Sequence, residues 1–161
     1  MNRVTSEYDV GLHVARGFSS LSFLAESAED IREIDKPTFI YHLGDHDPSG
    51  RNAGQKIEET LREMAPDADI HFERLAVTTE QIEAHNLPLR PTKHTDTRAK
   101  KFTEEHGEGS VELDAIHPDI LRRIVRSAID RHLPSDQLEI LKVAERSERQ
   151  LLTMWAREAR T

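Results

Sequence analysis

The stretch that most constrains the fold is TFIYHLG, residues 38–44, followed without a break by Asp45-His46-Asp47-Pro48-Ser49-Gly50. Its β-branched and aromatic residues suit a buried strand. Pro48 and Gly50 then make a tight turn. From 51 to 65, Ala53, Ile57, Leu61 and Met64 fall at helical spacing, and Pro66 stops the run. A strand that passes through an acidic turn straight into a helix is the opening half of a crossover onto a parallel neighbour. The segment ADIHFERLAV (68–77) supplies that neighbour, alternating through Ile70, Phe72 and, less cleanly, Leu75.

The flanks extend the same pattern. VGLHVAR (10–16) alternates loosely up to Gly17 and reads as a further short strand. Ser19 and Ser20 are N-cap candidates for a helix whose Leu21, Leu24, Ala28 and Ile31 share one face, before Lys36-Pro37 breaks it. TTEQIEAHN (78–86) carries a Thr cap and a short helix ahead of Leu87-Pro88. The expected class is α/β, a mostly parallel, Rossmann-like sheet flanked by helices. A C-terminal helical extension follows. Leu121, Ile124, Val125, Ala128 and Ile129 make one stripe; Leu138, Leu141, Ala144, Leu151, Leu152 and Trp155 make a second, with Trp155 as a core or interface anchor. The predicted division is an α/β domain over 1–132 and a helical extension over 133–161.

Chemistry concentrates in the acidic turn. In an extended chain Asp45 and Asp47 point the same way, at the end of a strand where α/β sheets place ligands. Two carboxylates about 4 Å apart repel by roughly 1 kcal/mol even in water, and a cation between them removes that cost. Hard oxygen donors select Mg²⁺ or Mn²⁺. The alternative for this pair is turn formation and helix capping. His46 points to the opposite face, toward packing or a phosphate; His42 and Tyr41 read as sheet residues. Arg51, on the first helical turn, faces the same place as the aspartates. The chain has no cysteine, which excludes disulfides, thiolate metal sites and a thiol nucleophile. Nine scattered histidines form no ligand motif.

A second feature is charge. The net charge is −8, which disfavours a general polyanion-coating role. Within the loop at 86–109, however, Arg90, Lys93, Arg98, Lys100 and Lys101 stand against Asp96 in RPTKHTDTRAKK. This is either a solvated loop or a set of phosphate contacts, with Arg90, Lys93, Lys100 and Lys101 as the nucleic-acid-binding candidates. Glu112 and Asp114 form another acidic pair, expected on an exposed strand face. No apolar run reaches the length of a membrane span, and the opening MNRVTSEYDV lacks the apolar core of a signal peptide, so a cytoplasmic protein is expected.

The string LGDHDPSG after an apolar strand resembles the DxDPxG signature of the Toprim domain in topoisomerase VI A subunits and the related meiotic double-strand-break proteins. Gly17 and the following helix, FERLAVTTEQIEAHNLPLRPTK, and SVELDAIHPDILRRIV (110–125) resemble that family's segments in the same order, so the likeness covers roughly residues 10–130. It implies a Toprim fold, Mg²⁺ held by Asp45 and Asp47, and DNA processing of the topoisomerase or nuclease type in which these two residues are catalytic. The chain departs from the family in two respects. The upstream glutamate at the end of a first strand has no counterpart, because Glu7 lies too close to the 10–16 run. The domain carrying a nucleophilic tyrosine is also missing, leaving only Tyr8 and Tyr41, so covalent cleavage is not expected of this chain alone. A missing carboxylate would have to come from elsewhere, a partner chain being one source. The rival expectation is a non-catalytic module that keeps the fold and associates with nucleic acid or protein, self-association through the C-terminal helix included.

Overall fold

In the structure, a computed structural model, residues 1–14, 20–34, 36–91, 102–104, 107, 109–133 and 135–158 are described. They divide into two compact units, Met1–Val125 and Arg126–Thr161.

The first unit is mixed α/β, with a two-stranded parallel sheet flanked by helices. Strand β1 (Thr38–Leu43) pairs with β2 (Ile70–Ala76) from Thr38↔Ile70 to Leu43↔Ala76, with an irregularity between His42 and Leu43. Helix α1 (Asn2–Glu7) and helix α2 (Leu21–Glu33) precede them. The crossover is helix α3 (Pro48–Met64), and α4 (Thr79–Ala84) follows β2. Parallel strands require such a crossover, and seventeen helical residues supply it.

Local chemistry explains most boundaries. Ser20 caps α2, its hydroxyl accepting the Phe23 N–H at 3.2 Å. Thr78 and Gln81 close a capping box at α4: the Thr78 hydroxyl accepts the Gln81 N–H, and the Gln81 amide oxygen accepts the Thr78 N–H. Leu24, Ala28 and Ile31 of α2 meet Leu61, Ala65 and Ile70, with Ile40 and Ile57 against them, in one apolar cluster. A second cluster gathers Ala76, Val77, Ile82, Val111, Ile116 and Leu121 beyond the strand ends.

Several expectations change. Leu21 belongs to the predicted helix face but is exposed. The strand at 38–43 is only half-buried, with Phe39 exposed, because a two-stranded sheet cannot cover both faces of a strand. Phe39 instead stacks on its register partner His71, with ring centroids 4.7 Å apart. Residues 10–14 form no strand: Val10, Leu12 and Val14 are exposed, and no neighbouring strand among the described residues is available to pair with them. Gly17 lies outside the described residues. The polar start forms α1 and buries Val4 and Thr5. Glu112 and Asp114 are not on a strand; they flank and enter a 3₁₀ turn over Leu113–Ala115.

Helix α5 (Pro118–Asp130) carries the predicted stripe, with Leu121, Val125, Ala128 and Ile129 buried and Ile124 half-buried. Helix α6 (Ser135–Glu158) does not bury its stripe. Leu141, Leu151 and Leu152 are exposed and Trp155 is 62% exposed, so it is no core anchor. The side chain of Leu138 lies outside the described residues. No helix among the described residues is long and apolar enough to cross a membrane.

Candidate metal centre

The turn after β1 is built from both sides. Gly44 extends the sheet ladder, donating its N–H to the Ala76 carbonyl and accepting the Val77 N–H, each at 2.8 Å. His46 then pairs antiparallel with Val111 through both main-chain bonds, at 2.7 and 3.0 Å. Its ring is buried, 1% exposed, edge-on to Phe102 at 5.2 Å. Of the two roles open to His46 in sequence, packing is the one its burial supports. With the chain extended through this bridge, Asp45 and Asp47 flank a fixed point.

Each aspartate gives one oxygen to the main chain. Asp45 Oδ1 accepts the Leu113 N–H at 2.8 Å, across a gap of 68 residues in sequence. Asp47 is the N-cap of α3: its Oδ1 accepts the Gly50 N–H at 2.6 Å, its carbonyl accepts the Arg51 N–H at 3.0 Å, and Pro48 occupies the first helical turn. The capping alternative is thus realised at Asp47, and the fold gives one oxygen of each carboxylate to a main-chain amide. Among the described residues the second oxygen of each, Oδ2, has no hydrogen-bond partner. Gly50 is required by space: a Cβ there would lie 2.4 Å from the Asp45 carbonyl oxygen.

A positive charge already sits beside the pair. Arg74, from β2, donates from Nη2 to the Gly44 carbonyl at 2.6 Å and the Asp45 carbonyl at 2.5 Å. Its Nη1 reaches the Gly50 carbonyl and its Nε the Val77 carbonyl, both at 3.3 Å. Burial, then the nearby Arg51, pull the Arg74 guanidinium down to about 10, while Asp45 and Asp47 pull it back up. The carboxylate repulsion that pointed to a cation is therefore relieved in part from within the protein. His42 is pushed down to about 4 by burial first, then by Arg74 and Arg51, and stays neutral at physiological pH.

Arg51 sits on the first turn of α3, and its Nη2 lies 3.4 Å from Nδ1 of His46, the residue between the two aspartates. Burial lowers its pKa and the charge of Glu80 opposes that. Glu80, at the start of α4, is itself held low, chiefly by the Thr78 hydroxyl and its own main-chain N–H, then by Arg51 and His46. Arg90 pairs at the surface with Glu112, its Nη1 donating to Glu112 Oε1 at 2.5 Å, and its main chain pairs with Ser110. Lys93, Lys100 and Lys101 lie outside the described residues.

Sequence reasoning missed Arg74 and Glu80. The signal for Arg74 was present: it shares strand parity with Ile70 and Phe72, and a charge on an apolar face needs a buried partner. Among the described residues no group of three or more histidines and carboxylates is placed to hold a metal ion. A Mg²⁺ that keeps most of its waters is commonly held by one or two protein carboxylates, fewer than such a group contains. No protein-family model, no curated protein and no solved structure matches this chain.

Proposed function

We propose that this chain is a Toprim-like domain that binds Mg²⁺, or Mn²⁺, through Asp45 and Asp47 and serves DNA processing together with a partner. The observation that carries the reading is the division of labour on each carboxylate: Oδ1 is locked to a main-chain amide, which aims the group, and among the described residues Oδ2 is left over. The strand–DHDPSG–helix order behind the Toprim resemblance supports it, as β1, the turn and α3 follow one another in that order.

In this mechanism Asp45 and Asp47 hold the ion, and the bound ion supplies neutralisation of a phosphate oxygen's negative charge. Leu113 N–H and Gly50 N–H fix the carboxylates so that little side-chain entropy is lost on binding. Arg51 contributes positive charge beside the turn. The third carboxylate of a complete phosphodiester site is assigned to a partner chain.

Titration of Mg²⁺ into the wild type and into Asp45→Asn/Asp47→Asn tests this. Asparagine keeps an oxygen for each amide and caps helices as well as aspartate does, so folding is preserved while charge is lost. Binding in the wild type, weakened at least about tenfold in the variant, is expected; equal responses from the two proteins overturn the reading.

A second reading, a non-catalytic interaction module, is favoured by two observations. Arg74 already balances the acidic pair, and α6 exposes Ile140, Leu141, Val143, Leu151, Leu152, Met154 and Trp155. Mg²⁺-dependent nicking of supercoiled plasmid that disappears in Asp47→Asn excludes this module; inactivity with a stable oligomer in light scattering favours it.

A further inference from the structure

The Arg74 side chain touches both ends of the acidic turn. Its guanidinium binds the carbonyls of Gly44 and Asp45 on the way in and that of Gly50 on the way out, and anchors to Val77 beside them. A planar fork with five N–H donors can hold four carbonyls at once; an ammonium on a flexible stem cannot match that geometry. The turn is thereby closed around Asp45 and Asp47 by a strand 24 to 30 residues away in sequence.

We infer that Arg74 is the positioning residue of the acidic turn: it presets Asp45 and Asp47 before any cation arrives. This deepens the Mg²⁺ reading and rests on it for its binding consequence, while presetting of the turn is a property of the metal-free protein. Two opposite effects follow from the same group. Its charge lowers cation affinity by repulsion, and its hydrogen bonds raise affinity by holding the carboxylates ready. Arg74→Lys separates them, because charge is kept and the fork is lost.

The test has two arms. In the metal-free wild type, hydrogen exchange at the Gly50 and Leu113 amides should be slowed at least about a hundredfold relative to an unstructured chain. Exchange at the unstructured rate overturns the inference without reference to any variant. In the second arm Mg²⁺ is titrated into wild type and Arg74→Lys, each first shown to keep its circular dichroism and cooperative melt. The expected result is a tenfold or greater loss of affinity in Arg74→Lys, with faster exchange at both amides. A folded Arg74→Lys that binds as tightly as wild type overturns it. Should wild type itself bind no Mg²⁺ while its two amides stay protected in Arg74-dependent fashion, the metal reading fails and the positioning role stands.

Discussion

At the C-terminal end of β1, a run of polar residues is tied down from every side, whereas along α6 a run of large apolar residues faces solvent. Asp45, His46 and Asp47 take hydrogen bonds from Leu113, Val111 and Gly50, and Arg74 closes over them. On α6, Ile140, Leu141, Val143 and Trp155 are all more than half exposed, and the hydrogen bond from Arg149 to Glu145 runs along the helix's own surface. The contrast separates two properties that a sequence pattern tends to merge. Periodicity determines which secondary structure a segment adopts, while burial depends on whether another element exists to meet it. The polar turn is met by residues 110–113 and by β2.

The strongest challenge to this contrast is truncation of one leucine from each region. Leu61, 3% exposed in the α2–α3 cluster, should cost about 2–5 kcal/mol on Leu61→Ala. Leu152→Ala should stay within about 0.5 kcal/mol. Urea denaturation of both variants reads the difference, and equal losses would show that α6 is buried in solution against a partner or a second copy.

Next in size is Gly50→Ala. The added methyl meets the Asp45 carbonyl, a main-chain atom that Arg74 holds in place, so the turn must open. A loss of about 1–3 kcal/mol is expected by thermal melting, with faster exchange of the Leu113 amide. A neutral effect would mean that the turn is loose and the comparison overstated.

The smallest effect is a pH dependence. His42 titrates near 6.5 in the unfolded chain and about 4 in the folded one, so the unfolded state binds the extra proton between those values. Stability from this group is complete above about pH 6.5 and falls as pH drops toward 4. Allowing for its partial exposure, the loss amounts to about 1 kcal/mol. His42→Gln should flatten the wild-type stability curve in that window alone; an unchanged slope would show that neither burial nor the charges of Arg74 and Arg51 hold His42 neutral.

What could be read from sequence follows the same division. The β1–α3–β2 unit was legible because its signals are local: a β-branched run, a Pro-Gly turn, a 3.6-residue stripe and the Pro66 stop. The Ser20 and Thr78 caps were legible for the same reason. The absence of a strand at 10–14 was not, since alternation alone does not provide a partner strand. The exposure of Trp155 was equally hidden, as an apolar stripe states what a helix prefers and not what it meets. In the site, the positions of Asp45, Asp47 and Arg51 came from one contiguous string. The Leu113 amide, the Arg74 fork and the Arg90–Glu112 pair were hidden because each joins residues 22 to 68 apart. Only the parity of Arg74 on β2 pointed toward them.

The most direct measurement is anomalous diffraction from crystals grown with Mn²⁺. The account predicts one peak bonded to carboxylate oxygens of both Asp45 and Asp47, with Leu113 N–H and Gly50 N–H still on the opposite oxygens and Arg74 still on the Gly44 and Asp45 carbonyls. Ordered crystals with the turn intact and no peak between those two side chains would contradict it.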